Sequence, residues 1–334
     1  MINILYYLLL IKLYNMKIIK FSTIVYKSDA GMRLDVYLAN KLFKFYSRSQ
    51  IKNWIINNNI KINNIIINKP KKKIFIKDEI KINIKISQKK ILWKAQNIPL
   101  NIIYDDNYLL IINKTSNLVV HPGNGNPDKT VFNSLLYNYP FLRDLPRAGI
   151  IHRLDKNTTG LMIIAKTMLS YINLKIALKK HNIIREYEAI VSGIIKYNND
   201  IINYPIRKYY NKKNIRMIID HKGKQAVTKY FLKRIFKNHS HLRIKLCTGR
   251  THQIRVHLEH INHSIVGDPI YKKSQINIIT MNDKQYLLNK ILKRQALHAC
   301  NLKFIHPIYN YPLNFHSSLP KDMQYLISIL EKIK

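Results

Sequence analysis

The pattern that runs from Ile102 to the C-terminus most constrains what this chain can fold into. IIYDDNYLLIINK reads as strand, turn, strand. Strand-length apolar runs then recur at GLMIIAKT, REYEAIVSGII, AVTKYFLKRIF, HLRIKLCT and LHACNLKFIH. Helical stretches interrupt them at VFNSLLYNY, LSYINLKIALKKH, HQIRVHLEHI and MQYLISILEKIK. A long series of strands with few helices predicts an α+β domain over residues 99–334, built on a mixed or antiparallel sheet with flanking helices.

A smaller domain is expected before it, over residues 32–84. Leu34, Val36, Tyr37, Leu38 and Leu42 give a helix-like apolar face. Ser47 is placed to cap a second helix over residues 48–58. Two short strands, IKIN and IIIN, meet at Asn63-Asn64, and asparagine tolerates the positive φ such a turn needs. These elements carry Arg33, Arg48, Lys52, Lys69, Lys71, Lys72 and Lys73. Residues 85–98, polar and lysine-rich, read as a linker, and residues 1–31 as an N-terminal extension with a leading strand. The apolar run at residues 2–11 lacks the basic flank and small-residue cleavage site of a signal peptide. A bilayer span takes about 20 apolar residues, so no transmembrane helix is predicted. Met16 offers an alternative start.

Lys and Arg number 57 against 18 Asp and Glu, a net charge of +39. Such an excess favours a polyanionic partner. The chain is also crowded with Ile, Asn, Lys and Tyr, whose codons are A/T-rich, so charge alone does not establish nucleic-acid binding. Cys247 and Cys300 are far apart and form no CxxC, which argues against a zinc ribbon or a disulfide framework. A reducing cytoplasm fits. No P-loop or GxGxxG occurs, and no cofactor or metal is expected.

Two segments carry chemistry. In RAGIIHRLDKNTTGLMIIAKT, Asp155 lies in a polar turn between apolar strands, beside His152, Arg153 and Lys156. Neighbouring cations hold a carboxylate ionised, and an ionised, positioned carboxylate serves as nucleophile or general base. The same spacing also describes a salt-bridged surface turn, and the local sequence does not separate the two. In CTGRTHQIRVHLEHINHSIVGDPIY, Gly249 and Arg250 open a predicted helix, and Arg255 is placed to reach a carboxylate on another strand with a bidentate guanidinium. His252, His257 and His260 invite a zinc assignment, but no HExxH or cysteine pair supports it.

Together these segments resemble the RluA-type pseudouridine synthase family. The resemblance rests on HRLDKNTTG at 152–160, IREYEA at 184–189 and GRTHQIRVH at 249–257. INK at 112–114, HPGNGNPDKTVFNSLL at 121–136 and RQALHA at 294–299 add to it. HPGNGNP and PRAGIIHRLDK are most similar to the D-type branch that acts on large-subunit ribosomal RNA. RLDVYLA, SRSQIKNWI and the strand pair resemble the S4 RNA-binding domain. Asn64 stands where that domain usually has glycine, and Thr115 where the synthases commonly have proline.

The resemblance implies isomerisation of specific uridines to pseudouridine in 23S ribosomal RNA, without a cofactor. It implies that Asp155 is the catalytic carboxylate, that Tyr187 stacks on the target base and that Arg255 pairs with Asp155. Arg153 would fill the space of the flipped-out base. Arg250 and the cations of the S4-like domain would contact RNA. No obligate protein partner is implied, and a monomer is expected. The rival readings are a non-catalytic ribosomal-RNA-binding or assembly protein, and a glycoside hydrolase. The latter needs a second carboxylate, for which Asp105, Asp106 and Glu186 qualify by residue type alone.

Overall fold

The computed structural model describes residues 12–13, 16–42, 46, 48–87, 93–123, 125–211, 214–271 and 292–333. The chain divides into two compact units, Met1–Leu92 and Trp93–Lys334.

The first unit folds two helices onto a five-stranded sheet. β1 (Lys12–Leu13) and β2 (Met16–Ile24) precede α1 (Leu34–Leu42) and α2 (Arg48–Ile56), and β3 (Ile60–Ile62), β4 (Ile65–Ile66) and β5 (Glu79–Ser87) complete it in the order β1-β2-β5-β3-β4. The α1 face buries Leu34, Tyr37, Leu38 and Leu42, while Val36 is only half-buried. Ile51 and Ile55 of α2 and Ile80, Ile82 and Ile84 of β5 close the core. From Ile80 to Ile84 every second residue of β5 is thus apolar and inward, the period of a strand with one buried face. Asn63 and Asn64 both take positive φ, 50° and 66°, as the turn requires. Asn63 also donates to Asp78 and accepts from the Glu79 amide, each at 2.8 Å, which ties the hairpin to β5.

The expected boundaries shift in two places. β2 pairs with β5 along nine residues each, so the leading strand belongs to this sheet. The sheet also extends through Ser87, and residues from Trp93 onward pack in the second unit, where the Asn133 side chain donates to the Lys94 carbonyl. The expected linker is therefore shorter than residues 85–98. The expected cap at Ser47 lies outside the described residues, as do residues 1–11.

The second unit is α+β. Its strands are β6 (Ile102–Asp105), β7 (Leu109–Lys114), β8 (Thr159–Ala165), β9 (Ile184–Ser192), β10 (Asn199–Asn203), β11 (Ile206–Asn211), β12 (Asn214–Ile219), β13 (Val227–Phe236), β14 (His239–Leu246), β15 (Leu297–Ile305) and β16 (Pro312–His316). Its helices are α3 (Val131–Asn138), α4 (Met168–Lys179), α5 (Gln253–His260) and α6 (Lys321–Lys332). The main sheet runs β10-β13-β14-β9-β15-β8-β7-β6, with β16 added to β15, and β11–β12 form a separate hairpin. All pairings are antiparallel except β15 with β8.

β8 is buried at every position, as expected of a central strand covered on both faces. Leu110, Ile112, Met162 and Ile164 face one core with α3 and α6, whereas Leu109, Ile111, Leu161 and Ile163 face another with α4. Four strands were not legible. β10 buries only Ile202, and β16 begins at a proline and is half-exposed, so neither carries strong alternation. The β11–β12 hairpin lies in an Asn-, Lys- and Tyr-rich stretch that reads as loop.

The parallel seam fixes one glycine. Gly160 has φ 117°, and a Cβ there would lie 2.2 Å from the Ala299 carbonyl oxygen. Gly160→Ala is therefore expected to cost about 3 kcal/mol or more, from left-handed strain plus overpacking. Gly123→Ala, in open space, should stay within about 0.5 kcal/mol of wild type. Chemical denaturation of both variants beside wild type checks this; equal stability would refute the steric account.

Candidate active site

Asp155 sits in the turn that feeds β8, and the turn is braced from four sides. Its own backbone closes it, with the Thr158 amide donating to the Asp155 carbonyl at 3.1 Å. The buried Lys114 ammonium, at the end of β7, donates to the carbonyls of Thr115, Leu118 and Lys156 at 2.7, 3.0 and 2.9 Å. Burial pulls the Lys114 amine down to about 7, and the Asp155 charge opposes that. Arg294 donates to the Asn157 carbonyl at 3.2 Å and forks onto Asp322. Gln295 donates to the Thr158 hydroxyl at 3.0 Å, and the Thr159 hydroxyl bonds His298 at 2.8 Å. The INK and RQALHA motifs thus hold the turn that presents Asp155.

The Asp155 carboxylate meets one strong partner. Arg255, inside α5, donates from Nη1 to Asp155 Oδ2 at 3.1 Å. The rest of its guanidinium grips Asp268, with Nε to Oδ2 at 2.6 Å and Nη2 to Oδ1 at 2.9 Å. Asp268 is itself fixed by the amides of Ile270 and Tyr271, at 2.9 and 3.0 Å. Burial works against the Arg255 charge, but the hydrogen bonds to Asp268 outweigh it and raise the pKa above the ordinary arginine value. Asp155 therefore faces a permanent cation whose direction is set from behind.

Its other oxygen is held more loosely. His252 Nε2 lies 3.9 Å from Asp155 Oδ1, beyond hydrogen-bond reach. The buried Tyr271 hydroxyl accepts from the Met217 amide at 3.1 Å and lies 2.8 Å from His252 Nδ1. With the hydroxyl proton donated to Nδ1, the neutral ring carries its own proton on Nε2, facing Asp155. Burial lowers the His252 pKa, opposed by the Asp155 charge, which favours the neutral ring.

Asp155 opens into a cavity of about 480 Å³. Tyr187, on β9, lines it with a buried phenol pushed up to about 12 by burial, so the ring is neutral. Arg147, Arg153, Lys175, Lys179, Arg185 and Arg250 also line it, besides Arg255, and Asp155 is the one carboxylate among the described lining residues. Of the residues read from sequence, Asp155, Tyr187, Arg255, Arg153 and Arg250 are thus brought to one cavity. The exposed Arg153 stands two residues before Asp155, and Arg250 donates to the Gln225 carbonyl at 3.0 Å.

One expectation needs correction. The helix begins at Gln253 rather than at Gly249-Arg250, because His252 takes a left-handed φ of 54° and breaks the turn before it. The ion pair on Asp155 comes from Arg255, 100 residues away in sequence, rather than from the cations beside it. The three histidines do not converge. His257 is buried and bonds Thr228 and the Tyr204 carbonyl, and His260 packs edge-on against Tyr204. Among the described residues no group of three or more His, Cys, Asp or Glu is placed to hold a metal ion. Asp268, Tyr271, Lys114 and Arg185 were not singled out from sequence. An acid in GDPIY or a lysine in INK has no local signature that separates it from a surface charge.

In the first unit, the buried Asp35 gathers two of the predicted cations. Arg33 forks onto it with both bonds at 2.9 Å, and Arg48 adds a third at 2.9 Å. Burial alone would raise the Asp35 pKa, but the two arginines outweigh it and hold the carboxyl below its ordinary value. Both guanidiniums remain partly exposed beside Lys52, Lys69 and Lys71 in a shared groove. Lys71, Lys72 and Lys73 are exposed. Among the described residues, no helix is long and apolar enough to cross a membrane.

Comparison with known proteins matches residues 32–80 to the S4 domain and residues 108–260 to the RNA pseudouridylate synthase family. The chain is 47% identical over 319 residues to the ribosomal large subunit pseudouridine synthase D of Blochmanniella floridana, across 92% of this chain and 98% of that one. It is 41% identical over 312 residues to the protein of the same name from Escherichia coli K12, across 93% and 94% of the two chains. Among solved structures, human RNA pseudouridylate synthase domain containing 4 shares the fold. Its TM-score is 0.55 at 22% identity, over 69% of this chain and 93% of that one. Identity at this level over nearly the whole length, with the synthase and S4 matches in one chain, places the protein in the RNA pseudouridylate synthase family.

Proposed function

We propose that this protein isomerises specific uridines to pseudouridine in large-subunit (23S) ribosomal RNA, with Asp155 as the catalytic carboxylate. The reading is carried by one arrangement: a lone carboxylate, presented by a braced turn into a cationic cavity, with Arg255 fixed on one oxygen. The relatives named as ribosomal large subunit pseudouridine synthase D support the choice of substrate.

The reaction breaks the N1–C1′ bond, turns the uracil over and joins C5 to C1′, so atoms and electrons balance within the nucleotide. The uridine must first leave its stack, at a cost of a few kcal/mol that is smaller in a loop. Arg153, exposed at the cavity, fills the vacated space. Tyr187 stacks on the uracil, worth roughly 1–3 kcal/mol. Asp155 then acts in its ionised form, either on C1′ as a nucleophile or on the C2′ proton as a base. Arg255 orients the carboxylate through Oδ2, and Asp155 Oδ1, outside hydrogen-bond reach of His252, is the oxygen free to react.

Arg33, Arg48, Lys52, Lys71, Lys72 and Lys73 in the first unit, and Arg250 in the second, contact RNA phosphates. Asp35 holds two of these guanidiniums in fixed directions, which lowers the entropy lost on binding. The protein works as a cytoplasmic monomer without an obligate protein partner or cofactor.

Three outcomes follow. Asp155→Asn should bind ribosomal RNA like wild type and make no pseudouridine, read by carbodiimide-primed reverse transcription; substantial turnover by the purified variant would sink the assignment. Asp268→Asn breaks the buried pair behind Arg255 and should destabilise the second unit by about 3–5 kcal/mol. Where that variant still folds, kcat should fall far more than KM rises, because the lost interaction orients the reacting group. Changing Lys71, Lys72 and Lys73 together to Ala should weaken RNA binding regardless of sequence and reduce the slope of log K against log salt by roughly one per lost phosphate contact. An unchanged slope in filter binding would remove these residues from the interface.

A further inference from the structure

Arg185 is a buried charged group of the cavity wall whose position the chemistry at Asp155 does not explain. It lies on β9 two residues before Tyr187, so both side chains leave the same face of the sheet and line the same cavity. It is only 7% exposed. Among the described residues its one hydrogen bond is a long one of 3.4 Å, from Nη2 to the Thr248 carbonyl. Nε has no partner, and among the described residues no carboxylate is paired with the guanidinium. A buried guanidinium without a counter-ion is costly, and natural interiors rarely keep one idle.

A second orphan donor stands on the same wall. His152 is buried, and its Nε2 accepts from the Ile163 amide at 3.2 Å. The ring proton is therefore on Nδ1, which has no partner. Burial holds this ring neutral, with a pKa pulled down to about 3. The chain also makes room for Arg185. A Cβ at Gly249 would lie 2.9 Å from Arg185 Nη1, so the glycine of GRTHQIRVH leaves the space the guanidinium occupies.

We propose that Arg185 binds a phosphate oxygen next to the target uridine as that nucleotide enters the cavity. A uracil carbonyl would satisfy a donor but leave the charge unneutralised. A phosphate does both, and it matches the fork of a guanidinium. The surrounding wall, with its lone carboxylate already engaged by Arg255, favours an anion for the same reason. Arg185 thereby fixes the sugar over Asp155 from the phosphate side while Tyr187 holds the base.

This inference rests on the proposed function. Its test uses the full-length protein and a stem-loop RNA containing a uridine that wild type is shown to convert. The phosphodiester on the 5′ or the 3′ side of that uridine is replaced by a neutral methylphosphonate. A parallel pair of RNAs carries 2-thiouridine or 4-thiouridine at the target. Binding is read in the Asp155→Asn background and turnover in the active protein. One of the two neutral linkages should weaken wild-type binding by about tenfold to a hundredfold, the usual range for a hydrogen bond to a charged group. The same linkage should cost Arg185→Gln almost nothing, while thio substitution should affect both proteins alike. Melting curves verify that the variant folds. If Arg185→Gln does not fold, Arg185→Lys, which keeps the charge but loses Nε and the fork, takes its place. Equal methylphosphonate penalties in wild type and variant would overturn the proposal, as would a penalty confined to the thio bases. If wild type converts no uridine in ribosomal RNA, the functional reading fails first, and that result is distinct from either.

Discussion

A carboxylate that is to react among cations must be oriented without being immobilised by them. In this protein one buried pair meets that requirement. Arg255 is held by Asp268 through two hydrogen bonds, and only its remaining Nη1 reaches Asp155. Had Asp155 received the full fork, both its oxygens would be occupied. Asp268 takes most of the guanidinium, and Asp155 keeps one oxygen outside hydrogen-bond distance of any neighbour among the described residues. The backbone amides of Ile270 and Tyr271 anchor Asp268 in turn, so the direction of Arg255 is fixed by main chain. Much of the remaining architecture serves to bring this pair, on α5 and the segment after it, to the turn before β8.

That turn is a loop, and loops are ordinarily mobile. Here three cationic or amide side chains from separate elements hold its carbonyls and hydroxyls: Lys114 from β7, and Arg294 and Gln295 from the approach to β15. The parallel contact of β15 with β8 brings these last two residues beside the turn, and Gly160 is what lets the strands come that close. The fold and the site thus share a seam. A side chain at position 160 would not only strain its own backbone but also displace the residues that hold Asp155.

The strongly periodic elements were legible in sequence because each buries a face. The continuous apolar run of β8 is a direct imprint of two-sided burial, whereas β5 was not read as a strand and its end fell in the expected linker. β10 and β16 left little imprint because edge strands bury few side chains. Asp155 itself was ambiguous locally, since HRLDKNTTG describes a salt-bridged turn as well as a reactive one. Its ordered neighbours IREYEA and GRTHQIRVH carried the reading, and the structure gives the reason: they supply Tyr187, Arg185 and Arg255 to the same cavity. Asp268 and Lys114 stayed hidden because their roles depend on burial and on partners distant in sequence. Residue type reveals neither.

The net charge of +39 is the most visible property of the chain and the least specific. Lysines spread over a surface raise affinity for any polyanion. Placement discriminates better. In the first unit a buried acid, Asp35, is spent on orienting two arginines, which a merely basic surface would not require. In the second unit the cavity wall gathers cations around one carboxylate, and that carboxylate is already committed to Arg255. The positive charge left over there is local, partly buried and directed inward. A cavity of that kind favours an anionic ligand large enough to carry its charge past the rim, and a nucleotide drawn out of an RNA chain brings its phosphates with it.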